Sequence, residues 1–130
     1  MSRGHGAIQR QVLDLLFIHS LQPRPKHQAD TYLSVFAMAD AMTPDDQEYL
    51  DISLIESIRR AVKKLEAEGE VETAKISERR SWSRSGLDTT KRMLGARLPL
   101  GDEDTEFYRE QAAAQAAAMT ERIDRYLRRP

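Results

Sequence analysis

Apolar residues recur at helical spacing in the first third of the chain. In residues 7–19, one side of a helix would carry Ile8, Val12, Leu15 and Leu16. The proline-containing segment QPRPKHQ at 22–28 predicts that this helix ends near Ser20. A second helix is predicted over about 31–42, with Asp30 or Thr31 as its N-cap.

The strongest local pattern lies in residues 53–69, SLIESIRRAVKKLEAEG. Ser53 and Glu56 have the spacing of a capping box, in which each side chain satisfies an N–H group of the first turn. Gly69 stands where a left-handed residue commonly ends a helix. A single apolar stripe connects the two ends, formed by Ile55, Ile58, Val62 and Leu65. The segment predicts an amphipathic third helix.

The second half of the chain combines strand and helix patterns. Residues 70–76 alternate in the manner of a strand, and 93–98 predict a second strand. Between them lies a long polar and basic loop, of the length that is usually functional or disordered. Residues 105–129 predict a helix capped by Asp104 or Thr105, because the alanine-rich segment AAAQAAA has high helix propensity.

The order helix, helix, amphipathic helix, strand, basic loop, strand is that of a winged helix-turn-helix. The run IRRAVKKLEAEGEVE resembles the recognition helix and first wing strand of winged-helix DNA-binding proteins among small bacterial transcriptional regulators. The acidic turn at 43–52 is longer than that of simple helix-turn-helix units. The resemblance implies a mainly α (α+β) fold with a long β-hairpin wing. We expect a DNA-binding domain over 1–100 and an extended C-terminal helix in 101–130.

Charge is segregated along the chain, although the formal net charge is only -1. Residues 29–52 hold six acidic residues and no Lys or Arg, whereas residues 75–97 carry seven bases against two acids. A near-neutral total by itself argues against a nucleic-acid binder. The basic block beside the amphipathic helix reverses that interpretation.

Several classes of protein and site are not expected from this sequence. The chain has no Cys, no phosphate-binding glycine loop, no H-E-x-x-H and no G-x-S-x-G, so an enzyme is not expected. Its three His are far apart in sequence, so neither a metal nor another cofactor is predicted. No apolar run approaches a membrane span and no pattern indicates a small-molecule ligand. A cytoplasmic, nucleoid-associated location is expected.

The polar side of the third helix contains candidate DNA contacts. In a major groove, Ser57 and Arg60 would face base edges, and Lys63 and Lys64 would face phosphates. Arg59 lies on the flank and suits either target. The alternative is an ordinary solvated face, on which Glu56–Arg60 and Lys64–Glu68 form ion pairs at i,i+4 spacing.

The basic loop and its flanks supply the other predicted DNA contacts, which are Arg79, Arg80, Trp82, Arg84, Lys91 and Arg92. Arginine and lysine would contact the phosphate backbone, and the interleaved Ser and Thr hydroxyls would add hydrogen bonds. Trp82 would either lie against the DNA or fold back over the hairpin.

The C-terminal helix presents a stripe at nearly heptad spacing, formed by Tyr108, Ala112, Met119, Ile123 and Tyr126. Two interpretations fit the stripe: packing on the chain's own domain, or dimerisation. The resemblance favours a homodimer, because winged-helix regulators often pair through terminal helices.

Two functions remain open from sequence. The leading one is sequence-specific binding of double-stranded DNA by a small transcriptional regulator. The other is a winged-helix module that holds a protein partner in a replication, segregation, phage or plasmid assembly. The acidic 45–51 segment either faces away from DNA or meets a basic partner surface. If Arg79, Arg80 and Arg84 lie on the same surface as Arg60 and Lys64, DNA is favoured. If the acidic 45–51 segment shares that surface, a protein partner is favoured.

Overall fold

The computed structural model describes residues 5–80, 84 and 89–128, with Arg80 described by its backbone alone. These residues form four helices and a three-stranded antiparallel sheet, which confirms the predicted α+β class. In chain order the elements are α1 (Ala7–Ser20), a 3-10 turn (Gln28–Thr31), β1 (Leu33–Ser34), α2 (Val35–Met42), α3 (Ile52–Ala67), β2 (Glu72–Arg80), β3 (Thr89–Arg97) and α4 (Asp102–Leu127). The chain forms two compact units, Met1–Pro99 and Leu100–Pro130.

The sheet has the order β1-β3-β2, so the sequence-distant β1 pairs with β3. β2 and β3 form a hairpin in continuous register from Glu72↔Arg97 to Arg80↔Thr89. The strands extend well into the segment predicted to be a loop. Long-range pairing lets polar residues continue a hairpin where no apolar alternation marks a strand.

The region predicted as the second helix divides into three elements. The 3-10 turn occupies its beginning, and β1 follows, with Ser34 paired to Gly95. The helix itself begins only at Val35, because Ser34 rather than Asp30 or Thr31 caps it. Its Oγ accepts a 2.9 Å hydrogen bond from the Ala37 N–H.

α3 lies where the sequence predicts it, but a different residue caps it. The carboxylate of Asp51 accepts a 2.8 Å hydrogen bond from the Ser53 N–H, so the helix begins at Ile52. The predicted Ser53–Glu56 capping box is therefore wrong, and Glu56 pairs with Arg59 instead. Gly69 has a φ of 77°, which confirms the left-handed end of the helix.

The core of the first unit lies between the three helices and the sheet. All four stripe residues of α3 are buried, together with Val12 and Leu16 of α1. Helices α1 and α2 both contact α3, and the inner half of β3 completes the core with Met93, Leu94 and Ala96. This arrangement commits one side of α3 to the interior and leaves its polar side to solvent.

The second unit consists mainly of α4, which begins earlier than predicted. Its N-cap is Gly101, and the Thr105 hydroxyl donates a 2.9 Å hydrogen bond back to the Gly101 carbonyl. Every residue from Ala112 to Arg128 is exposed. In the part of the chain that the structure describes, no helix combines the length and apolar character needed to cross a membrane.

Candidate nucleic-acid interface

The exposed side of α3 carries three cations that have no ion-pair partner in the part of the chain that the structure describes. Arg60, Lys63 and Lys64 are exposed, and none forms an ion pair within the described residues. Arg59 differs, because its Nη1 donates to the Glu56 carboxylate at 2.5 Å. The i,i+4 pairs that a solvated face predicts are absent among these residues: Glu56 contacts Arg59, and Glu68 contacts His5.

The hairpin continues this basic surface. Thr73 of β2 bonds through its hydroxyl to the Glu66 carboxylate of α3, so this face of the hairpin adjoins the end of α3. Side chains alternate between the two faces of a strand, so the exposed Lys75, Ser77 and Arg79 share the face of Thr73. Arg92 is paired across the hairpin with Ser77 and belongs to the same row.

A shallow groove separates α3 from the start of α1. Its volume is about 340 Å³, and Ser57, Arg60, Ala61 and Lys64 line one side. The first turn of α1, Gly6 to Gln9, lines the other. Gly6 has no side chain to cap this turn, and the N-terminal end of a helix attracts anions. The groove therefore places Arg60 and Lys64 beside the N-terminal end of α1, which also carries a partial positive charge. The sequence does not indicate this groove, because α1 and α3 are distant in sequence.

Two predicted contact residues occupy less favourable positions. The Ser57 hydroxyl donates a 2.9 Å hydrogen bond to the Ser53 carbonyl, so its donor is already used. Lys91 is half-buried on the other face of the hairpin, and its Nζ lies 5.9 Å from the centre of the Phe36 ring. Neither belongs to the exposed cationic row.

Arg84 has a different role from the one predicted. Its Nε donates to Asp40 Oδ1 at 2.7 Å, and its Nη1 donates to the carbonyls of Pro44 and Gln47 at 2.6 and 2.9 Å. Its backbone N–H also donates to the Glu48 carbonyl at 2.8 Å. Arg84 therefore joins the hairpin end to the acidic turn after α2 instead of presenting a free guanidinium to a phosphate.

Arg80 and Trp82 remain predictions. The Arg80 backbone pairs with Thr89 at the end of β2, but its side chain lies outside the described residues, as does the whole of Trp82.

The cations on the α3–hairpin surface are not the same set as the cations of the basic segment 75–97. Arg84 and Arg97 are used internally, since Arg97 pairs with Glu72 at 3.0 Å and lies 4.3 Å from the Tyr32 ring centre. Within the described residues, the carboxylates of Glu56 and Glu66 lie on the α3–hairpin surface, and those of Glu68 and Glu70 lie where α3 meets β2. The cations on it are Arg59, Arg60, Lys63, Lys64, Lys75, Arg79 and Arg92. The surface is strongly positive although the chain is not.

The predicted dimerisation stripe lies on α4 within the second unit. Tyr108 is buried, and its ring packs edge-on against Phe107 with centroids 5.0 Å apart. The remaining positions, Ala112, Met119, Ile123 and Tyr126, are exposed. Leu127 is also exposed at 73%, so the apolar surface extends to the end of the helix.

Comparison with protein-family models, with curated proteins and with solved structures finds no match to this chain.

Proposed function

We propose that this chain is a winged-helix protein that binds double-stranded DNA through α3 and the β2–β3 hairpin. The observation that carries the proposal is the set of exposed cations on α3 and on the adjoining face of the hairpin, with no ion-pair partner on Arg60, Lys63, Lys64, Lys75, Arg79 or Arg92 within the described residues. Neighbouring cations repel each other, and these have no acidic partner within the described chain to offset the repulsion. A polyanion such as DNA would neutralise them.

The element order and the sheet order support the winged-helix assignment. A short strand before α2 pairs with β3, and the β2–β3 hairpin follows α3 in the chain. In this proposal α3 enters the major groove, with Arg60 and Lys63 facing the DNA and Lys64 beside the α1 end at a phosphate. Lys75, Arg79 and Arg92 lie along the backbone as the wing.

The salt dependence of binding tests the proposal. Six phosphate contacts predict that affinity for a random-sequence duplex falls by about a thousandfold between roughly 50 and 200 mM salt. Fluorescence polarisation measures this dependence directly. Lys64→Gln and Arg92→Gln should each reduce the salt slope by about one unit, whereas the matched control Arg122→Gln on α4 should leave it unchanged.

A flat salt response, or an equal effect of Arg122→Gln, would overturn the proposal.

One observation favours a protein partner instead. Arg84 holds the acidic turn against the end of the hairpin, so acidic residues do share the wing's surroundings. The internal bonds of Arg84 neutralise part of that acidity, and we therefore favour DNA. Transcriptional regulation is the role that we infer for such a small DNA-binding protein.

We also propose that the chain forms a homodimer through α4. The exposed Met119, Ile123 and Tyr126 give the C-terminal half of the helix an apolar stripe that a second copy would bury. Sedimentation at tens of micromolar should show a dimer, and Ile123→Glu should convert it to a monomer while Glu121→Gln, a neighbouring change outside the stripe, should not. A wild-type monomer under these conditions would refute the dimer and leave DNA binding by a monomer intact.

A further inference from the structure

His5 meets the sequence-distant Glu68 and Glu70 at the corner between α3 and β2. The imidazole Nε2 of His5 contacts the Glu70 carboxylate and lies 3.4 Å from Glu68 Oε2. One ligand atom from each of the three residues lies within 4.8 Å of the other two. No sequence spacing indicates this cluster, because His5 is separated from Glu70 by 65 positions.

The backbone holds both sides of the cluster. Glu68 and Glu70 flank the left-handed Gly69, where the Gly69 N–H donates to Glu66 O at 3.0 Å and the Glu70 N–H to Leu65 O at 2.9 Å. On the other side, the His5 carbonyl accepts a 2.8 Å hydrogen bond from Arg10 of α1. The two carboxylates thus belong to a hydrogen-bonded turn, and the histidine immediately precedes a helix.

The charge of the cluster is unbalanced. Within the described residues neither Glu68 nor Glu70 pairs with a Lys or Arg, and His5 is their common partner. Two neighbouring carboxylates repel each other, and within the described residues no Lys or Arg offsets that repulsion. A divalent cation bound between the three would neutralise both carboxylates at once.

We propose that His5, Glu68 and Glu70 bind one divalent transition-metal ion, of the class of Zn²⁺ or Co²⁺. One imidazole nitrogen and two carboxylate oxygens form a mixed donor set that suits these ions better than Mg²⁺ or Ca²⁺, which prefer oxygen ligands alone. Zn–N and Zn–O bonds of about 2.1 Å in a tetrahedron place two ligand atoms about 3.4 Å apart. The His5 Nε2 and Glu68 Oε2 atoms have this separation, whereas His5 Nε2 and the Glu70 carboxylate are in direct contact and would move apart to admit the ion.

The ion would tie the start of α1 to the corner between α3 and β2. His5 adjoins Gly6, which lines the groove beside Arg60 and Lys64. Three protein ligands leave a coordination position for water, and the partial exposure of all three side chains gives the ion access from solvent. The metal site stands independently of DNA binding, since none of its ligands belongs to the cationic row.

Calorimetric titration of tag-free, chelator-treated protein with Zn²⁺ and with Co²⁺ tests the site. The wild type should bind one equivalent of each ion. His5→Ala and Glu70→Gln should each weaken binding at least about tenfold, since even outer-shell partners of metal ligands have effects of that size. His27→Ala and Glu110→Gln, which remove an exposed histidine and an exposed carboxylate elsewhere, should bind as the wild type does.

Circular dichroism of each variant establishes that it is folded, and the visible spectrum of bound Co²⁺ gives a second readout of the coordination. Binding also predicts a rise in melting temperature with added Zn²⁺ that disappears in His5→Ala. Absence of binding by the wild type up to about 1 mM ion, or equal binding by His5→Ala, would overturn the proposal.

Discussion

Arg84 offers the sharpest separation between a structural contact and a DNA contact. The sequence places it among the predicted wing cations, whereas the structure uses its side chain in hydrogen bonds to Asp40 and to two backbone carbonyls. Arg84→Ala should therefore destabilise the fold and leave the salt slope of DNA binding unchanged. Arg92→Ala should leave the stability of the fold unchanged and reduce the salt slope.

The size of the effect follows from the surroundings of the guanidinium. A hydrogen bond to a charged group contributes about 1.5–3 kcal/mol when it is buried, but the Arg84 side chain is 21% exposed and the turn that it contacts is exposed. Water replaces much of each lost bond there, and an exposed ion pair contributes at most about 1 kcal/mol. We therefore expect Arg84→Ala to lower the free energy of unfolding by about 1–2 kcal/mol.

Urea denaturation of wild type, Arg84→Ala, Asp40→Ala and the double variant measures the loss and its origin. In this double-mutant cycle, the interaction free energy between Arg84 and Asp40 should be about 1 kcal/mol, since the two side chains are in direct contact. Each kcal/mol should lower the melting temperature by roughly 4–8 °C in a unit of this size. Unchanged stability together with a reduced salt slope for Arg84→Ala would refute the structural role and restore Arg84 to the DNA surface.

Four further substitutions test the fold by thermal or urea denaturation. Asp51→Ala should cost about 1 kcal/mol through loss of the α3 cap, while Ser53→Ala should cost less than about 0.5, and the reverse order would restore the capping box. Gly95→Ala should cost about 1–3 kcal/mol, because its Cβ would lie 2.9 Å from Ile76 Cδ1; no loss would mean that Ile76 moves aside freely. Leu65→Ala should cost about 2–5 kcal/mol by leaving a cavity in the core, and a smaller loss would contradict its complete burial.

The sequence predicts the elements that are stabilised locally and misses those that depend on distant partners. The apolar stripe of α3 and the Gly69 that ends it both lie within the helix segment itself, so the sequence predicts the helix almost to the residue. β1 is only two residues long and exists because β3 pairs with it, and nothing within Leu33–Ser34 indicates that pairing. The same reason explains why the strands of the hairpin are longer than predicted.

The candidate DNA surface shows the same division. The exposed cations of α3 follow from helical periodicity, and the row Lys75, Arg79 and Arg92 follows once the hairpin register is known. Lys75 lies outside the predicted contact set because the sequence does not show which hairpin face adjoins α3. The charge of Arg84 alone suggests a DNA contact, because its acceptors at Asp40 and in the following turn are about forty positions away in sequence.

β2 is an edge strand along its whole length, since the described sheet ends with it. An edge strand offers unpaired N–H and C=O groups on which another chain can add a strand and start aggregation. Lysine and arginine on such a strand oppose this growth, because a second β2 would bring like charges together. Lys75 and Arg79 thus also oppose the addition of a strand at this edge. Replacing both with neutral residues would expose an aggregation site. Variants for DNA-binding measurements should therefore change one charge at a time, so that a loss of binding is not caused by aggregation.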